Sequence, residues 1–250
     1  MSEPQTVWVT GASGGIGAEL ARVYAAAGHR VAISARRAEK LEQIAAELGG
    51  TVLPVPVDVT DRDAMVAAAA GISEELGEID IAIMNAAFWQ QVLVESWDSG
   101  LVRRHFDTNV MGLVHGIEAV LPSMRRRRAG TIVGMASLAG YRGFPRSEGY
   151  GPTKAAMINM LEALRIDLQP LGISVITVCP GFVRTDLTSH NRFPMPFLLE
   201  PDDAARRIVR GIDRGKVVVA FPLPMAVGIK ALQLVPARPY AWAAGRLNKR

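Results

Sequence analysis

The chain has a single cysteine among 250 residues, Cys179. One thiol excludes an internal disulfide. With no histidine paired to it in the sequence, Cys179 reads as a small buried residue in the run "ISVITVCP" rather than as a nucleophile. Histidine is also scarce: the four, at 29, 105, 115 and 190, lack metal-ligand spacing, so no metal site is expected. Aromatics make up 6% of the chain and do not interleave with its basic runs, Arg125 to Arg128 and the tail "GRLNKR". That argues against a nucleic-acid module. "RRRR" behind an apolar helical pattern instead fits a solvated helix C-terminus, where cations are favoured. The opening "MSEPQTVWVT" lacks the basic stretch and apolar core of a secretory leader, so a cytoplasmic protein is expected.

What is present is globular: 49% hydrophobic and 21% charged residues, in a chain long enough to bury a sizeable core. Short β-branched runs at 6–10, 30–34, 51–57, 79–84, 130–136, 173–178 and 216–220 read as strands. Most are continuously apolar, as strands covered on both faces are. Helical patterns lie between them at 15–27, 38–48, 60–76, 109–126, 152–169 and 201–213. Gly28 stops the first of these, and Thr60 with Asp63 resembles a capping box on the third. This alternation predicts an α/β fold, a single-domain Rossmann-type doubly wound parallel sheet of about seven strands. Residues 1–220 form the body and 221–250 a C-terminal apolar and basic extension.

The first strand runs straight into "TGASGGIG". Gly11, Gly15 and Gly17 there permit a tight turn and close approach of backbone to a pyrophosphate, which the next helix N-terminus would hold. Some twenty residues on, where an acid would bind a ribose 2′-hydroxyl, stand Ala35, Arg36 and Arg37. A guanidinium suits a 2′-phosphate, so NADP(H) is expected over NAD(H). Of the four tyrosines, only Tyr150 has a lysine four residues on, Lys154 in "EGYGPTKAAM". That spacing puts both on one helix face.

Over residues 5 to 220 the chain resembles the short-chain dehydrogenase/reductase family. The glycine pattern matches Gly11, Gly15 and Gly17. Asp58 in "VDVT" resembles the family's aspartate beside the adenine. The turn Asn-Asn-Ala-Gly appears as Met84, Asn85, Ala86 and Ala87, departing at two positions. Asn109 in "FDTNVMG", Ser137 in "GMASLAG", Tyr150 and Lys154 match the family's catalytic set, and "CPGFVRT" its Pro-Gly segment. The resemblance implies Asn109, Ser137, Tyr150 and Lys154 as catalytic. It implies a cofactor site of Gly11, Ser13, Gly15, Ile16, Gly17, Arg36, Asp58, Val59, Asn85, Tyr150, Lys154, Pro180, Gly181, Val183 and Thr185. Tyr150 would be the acid/base, its pKa lowered by the Lys154 ammonium and the oxidised nicotinamide, with Ser137 on the substrate oxygen. Lys154 would also hold the nicotinamide ribose, and Asn109 a water linking Lys154 to solvent.

Residues 88–97, 138–149 and 182–199 are expected to border the substrate. Trp89, Phe144, Phe182, Phe193 and Phe197 suggest an apolar carbonyl or alcohol, while Arg142, Arg146 and Arg192 leave room for an anionic group. The alternative to an enzyme is a catalytically idle dinucleotide sensor or scaffold, against which the complete Asn–Ser–Tyr–Lys set speaks. Helices at 109–126 and 152–169, apolar on more than one face and rich in small residues, need a further partner, and the resemblance implies a homodimer or homotetramer built on them. Pro222, Pro224 and Lys230 argue against a membrane span through 217–235. The extension is expected to pack on the body or a neighbouring subunit. The other reading lays it on a membrane, with Met225, Ile229, Leu232 and Leu234 inserted, Tyr240 and Trp242 at the interface, and Arg238, Arg246, Lys249 and Arg250 on anionic lipid.

Overall fold

The chain was analysed as a computed structural model, which describes residues 3–191 and 193–247. Arg192, Lys249 and Arg250 lie outside the described residues. Seven strands, β1 (Thr6–Thr10), β2 (Arg30–Ser34), β3 (Val52–Pro54), β4 (Ile81–Met84), β5 (Gly130–Met135), β6 (Ile173–Pro180) and β7 (Val218–Phe221), form one parallel sheet. Their order is β3-β2-β1-β4-β5-β6-β7. The direction of winding reverses between β1 and β4, which opens a crevice at their carboxyl ends.

Side chains alternate between two cores. Val7, Val9, Ile81 and Ile83 face the layer of α1 (Gly15–Ala26), α2 (Ala38–Leu48) and α7 (Pro201–Asp213). Trp8, Ala82 and Met84 face α3 (Arg62–Leu76), α5 (Gly112–Arg127) and α6 (Tyr150–Leu168). Burial on both faces is why the strands read as unbroken apolar runs.

The boundaries differ from the sequence expectation for identifiable reasons. β3 stops at Pro54 rather than 57, although Val55 and Val57 N–H still bond Ile33 O and Ala35 O. Pro54 and Pro56 are tolerated because β3 is an edge strand and their missing N–H groups fall on its outer side. The third helix is capped by Asp61, whose carboxylate accepts from Ala64 N–H at 3.0 Å. Thr60 and Asp63 form no capping box; Thr60 instead bonds Asp58. Before α5 come a short α4 (Ser99–His105), where no helix was expected, and a π-helical stretch (Phe106–Met111) that takes in the first three residues of the helix expected at 109–126. The extension forms two helices after β7, α8 (Leu223–Leu232) and α9 (Ala237–Leu247).

The arginine run does close α5, but it is not simply solvated. Arg127 bonds Asp80 and Ile79 O, Arg128 bonds Pro170 O, and Arg126 lies 3.6 Å from Glu78. Cys179 is fully buried, and that burial raises its thiol pKa. Among the described residues no helix is long and apolar enough to cross a membrane, and no cluster of potential metal ligands occurs.

Candidate active site

The loop from β1 into α1 is built so that only glycine fits at its close contacts. Gly15 has φ +56°, and a Cβ there would lie 2.8 Å from the Thr185 methyl. A Cβ on Gly17 would lie 2.5 Å from Gly11 O and 2.6 Å from the Asn85 amide nitrogen. Asn85 in turn donates to Thr10 O and Gly11 O at 3.0 and 3.1 Å, tying the turn after β4 to the loop. The departure at Met84 has a packing account. Its buried thioether occupies space left by Gly116 of α5, where a Cβ would meet Met84 Sδ at 2.2 Å.

The first turn of α1 has no side-chain cap and no acidic residue, which leaves its N–H groups suited to a phosphate. Ser13 and Ile16 sit in this turn region. Arg37 reaches across from the end of β2, its Nη2 2.9 Å from Ser13 Oγ. Arg36 turns instead toward Asp58: it is 69% exposed, with Nη1 3.9 Å from that carboxylate. Sequence reasoning placed Arg36 in the site and left Arg37 without a contact of its own. Val59, next to Asp58, is buried; its carbonyl accepts from His115 Nδ1. The glycine turn and the uncapped α1 N-terminus suit a dinucleotide phosphate chain; the exposed carboxylate of Asp186 lies beside them, 3.9 Å from Arg37.

Tyr150 opens α6 and Lys154 follows one turn on. Gly140 lets the turn after Ser137 touch that helix, since a Cβ there would lie 2.7 Å from the Lys154 carbonyl carbon. Ser137 Oγ at the head of that turn accepts from Ala139 N–H at 3.1 Å, donates to Pro180 O at 3.4 Å and is near enough to Tyr150 to act on its hydroxyl. Asn109 is buried in the π-helical stretch, where its amide holds Phe88 N–H (2.7 Å), Phe88 O (3.1 Å) and Thr153 Oγ1 (3.0 Å). It thereby ties the segment after β4 to α6 beside Lys154. Both of its amide hydrogens are engaged with protein.

Of the two charges expected to lower the Tyr150 pKa, the Lys154 ammonium does not do so by itself. Tyr150 is half-buried, and desolvation pushes its pKa up to about 12, while the Ser137 hydroxyl pulls it down. Lys154 Nζ donates to Met135 O at 2.7 Å and lies 5.4 Å from the Tyr150 ring centre. Burial lowers its pKa from 10.5 to about 7, which weakens the positive charge that was to favour phenolate.

That depression has a stability consequence. Between about pH 7 and 10.5 the unfolded chain holds the Lys154 proton and the folded chain releases it, so this group's contribution to stability rises with pH. At pH 7 and below the full burial cost, on the order of 4 kcal/mol, is present. The lost bond to Met135 O offsets roughly 1.5–3 kcal/mol of the relief. Lys154→Met is therefore expected to raise Tm at neutral pH, with the gain vanishing toward pH 10.5. Calorimetry across that range checks it, and a gain independent of pH would refute the assignment.

Over the substrate side, the Trp89 ring meets Tyr150 edge-on at 5.3 Å, and its indole N–H bonds Asn191 Oδ1 at 3.0 Å. Trp89 and its neighbours are held by His105, which the sequence reading passed over. This buried histidine takes Gln90 N–H on Nε2 and pairs Nδ1 with Leu101 O, and burial lowers its pKa. Phe182 and Phe193 pack together, while Phe197 is exposed. Arg142 is not available to an anionic substrate: it bonds Val235 O and lies over the Tyr240 ring. Arg146 sits exposed at a positive φ of 61°. After β6, Pro180 ends the strand, Gly181 N–H bonds Phe221 O, and Val183 pairs with Leu199.

A family model for short chain dehydrogenases matches residues 5–194. An uncharacterised oxidoreductase of Myxococcus xanthus is 39% identical over 98% of both chains. The bovine dehydrogenase/reductase SDR family member 7B is 32% identical over 97% of this chain and 81% of its own. Among solved structures, a short-chain dehydrogenase from Streptomyces avermitilis superposes with TM-score 0.84 at 28% identity, covering 99% and 98% of the two chains. One from Sphingobium yanoikuyae, in complex with NADPH, gives 0.80 at 29% identity over 98% and 94%. Glycine loop, sheet order and sequence agree, and the chain belongs to the short-chain dehydrogenase/reductase family of oxidoreductases.

Proposed function

We propose that this oxidoreductase uses NADP(H) to interconvert the carbonyl and secondary alcohol of an apolar substrate. The observation that carries the reading is the meeting of Ser137, Tyr150 and Lys154 at the carboxyl end of the sheet, beside the uncapped glycine loop. Gly11, Ser13, Gly15, Ile16 and Gly17 take the pyrophosphate, and Asp58 and Val59 the adenine side. Asn85, Pro180, Gly181, Val183 and Thr185 border the nicotinamide. When bound, that ring supplies or accepts the hydride. Tyr150 is protonated at neutral pH, so it stands ready to donate its proton to the substrate oxygen. Ser137 donates a hydrogen bond to the same oxygen and stabilises its developing charge. Lys154 holds the nicotinamide ribose, and Asn109 fixes the position of α6 through Thr153.

Trp89, Phe182 and Phe193 favour an apolar substrate. The Sphingobium relative was solved with NADPH. Oxidation of NADPH with a panel of ketones and aldehydes, beside a Tyr150→Phe control, tests the reading. Turnover that survives in the control, or a wild type inert toward the whole panel, would favour the sensor alternative.

A homodimer or homotetramer is also expected. Around α4 and the π-helical stretch, Trp97, Phe106 and Met111 are exposed, as is Ile166 on α6. Such apolar surface calls for a partner, and a second copy supplies the same surface. Light scattering at micromolar concentration should give at least twice the chain mass of 26.9 kDa. A strictly monomeric mass would rule this out.

A further inference from the structure

Helices α8 and α9 take no part in the proposed chemistry, yet they form a surface of consistent character. On α8, Ala226 is buried in the core, and Met225 and Ile229 pack against it rather than turning outward as the membrane reading of the sequence had those two. The opposite side is apolar at positions 223, 224, 227, 228, 231 and 234, which are Leu, Pro, Val, Gly, Ala and Leu, with the exposed Lys230 at its edge beside Leu223 and Leu234. Leu223, Val227 and Leu234 are 69, 61 and 86% exposed. Apart from Lys230, whose ammonium can reach out from the edge, no side chain on that face can make a hydrogen bond. A soluble helix that is apolar on both faces lacks a partner for one of them.

On α9, Tyr240 is turned inward, its hydroxyl donating to Gly143 O, so it too departs from the interfacial place the sequence reading gave it. The far side of α9 carries Arg238, Trp242 and Arg246. Trp242 is exposed, with the Arg246 guanidinium 3.5 Å from its ring centre. Charge points the same way. Residues 214–250 hold seven of the 28 Lys and Arg and none of the 24 Asp and Glu. This segment is thus +7, whereas the remaining 213 residues are net −3.

We propose that the outer side of α8 and α9 docks on an anionic lipid surface. Aliphatic side chains without hydrogen-bonding groups suit the acyl boundary, a tryptophan suits the interface, and arginines and lysines suit anionic headgroups. A second copy is a poor occupant, because two-fold pairing would set two acid-free basic segments against each other. Docking of this kind is peripheral and needs no spanning helix. It is also separate from the reaction, so its failure would leave the oxidoreductase reading standing.

The test is flotation of the purified full-length protein with phosphatidylcholine vesicles, with and without phosphatidylserine, at low and physiological salt. The protein is expected to float with the phosphatidylserine vesicles at low salt, less so at physiological salt, and not with phosphatidylcholine alone. Val227→Glu with Leu234→Glu, both at exposed positions, should cut the bound fraction by roughly tenfold or more. Arg238→Gln with Arg246→Gln should reduce the preference for phosphatidylserine while leaving Tm unchanged. The proposal fails if wild type does not float at low salt, or if both variants float as wild type does. It also fails if the glutamate variant lowers the oligomer mass in the absence of vesicles, since the face would then join two copies.

Discussion

Tyr150→Phe is expected to bind NADPH as wild type does while its turnover falls by roughly 100- to 10,000-fold, the range of a general acid–base step. The substitution removes only the hydroxyl. The ring remains, and with it the edge contact to Trp89 at 5.3 Å and the start of α6, so the cofactor loop is not disturbed. With its pKa pushed up to about 12, the wild-type phenol carries its proton throughout the neutral range. In the reductive direction no prior ionisation is needed, and the hydroxyl is the direct donor to the substrate oxygen. Phenylalanine leaves that oxygen with the Ser137 hydrogen bond alone, which stabilises charge without delivering a proton. Ser137→Ala should therefore cost less than Tyr150→Phe. Steady-state rates with any accepted ketone, read beside a fluorescence titration of NADPH, separate chemistry from binding. Turnover near wild type in Tyr150→Phe would overturn the mechanism; loss of NADPH binding would mean that the residue holds the cofactor instead.

Sequence carried the sheet well because its signal is a bulk one. Strands buried on both faces must be apolar along their whole length, and seven such runs alternating with helical stripes leave few other architectures. The glycine loop was legible for a related reason: Gly15 and Gly17 are demanded by contacts of 2.8 and 2.5 Å that no Cβ can share. Less legible were features created by tertiary contact. The π-helical stretch that turns Asn109 toward Phe88 and Thr153 has no propensity signature in "FDTNVM". His105 looks like any helical histidine until its two ring nitrogens are seen between Gln90 and Leu101. The desolvation that opposes the Lys154 charge at Tyr150 was not legible, because sequence shows the charge of Lys154 but not its burial, and desolvation is the largest influence on both groups. The prolines at 222 and 224 argued correctly against a span. Pro222 caps α8 and Pro224 lies in its first turn, where a missing N–H costs nothing.

Cofactor choice rests on two neighbouring arginines that the structure sends to different places, and they are expected to behave differently. Arg37 bonds Ser13 Oγ through Nε and Nη2, at 3.2 and 2.9 Å, so it supports the loop that would take the pyrophosphate. Both NADPH and NADH carry that group. Arg37→Ala should thus weaken the two cofactors alike. Arg36 has no comparable bond: its guanidinium is largely exposed and 3.9 Å from Asp58, free to meet a 2′-phosphate at the adenine end. Ala35, where an acid would repel such a phosphate, leaves the approach open. A charge-assisted hydrogen bond of this type is worth about 1.5–3 kcal/mol, so Arg36→Ala should weaken NADPH by on the order of 10- to 100-fold and leave NADH nearly unchanged. Because the side chain is exposed, the difference should shrink as salt is raised. Titration of wild type and both variants with each cofactor decides the matter. Equal affinity of wild type for NADH and NADPH would remove the 2′-phosphate reading of Arg36, whatever the variants then show.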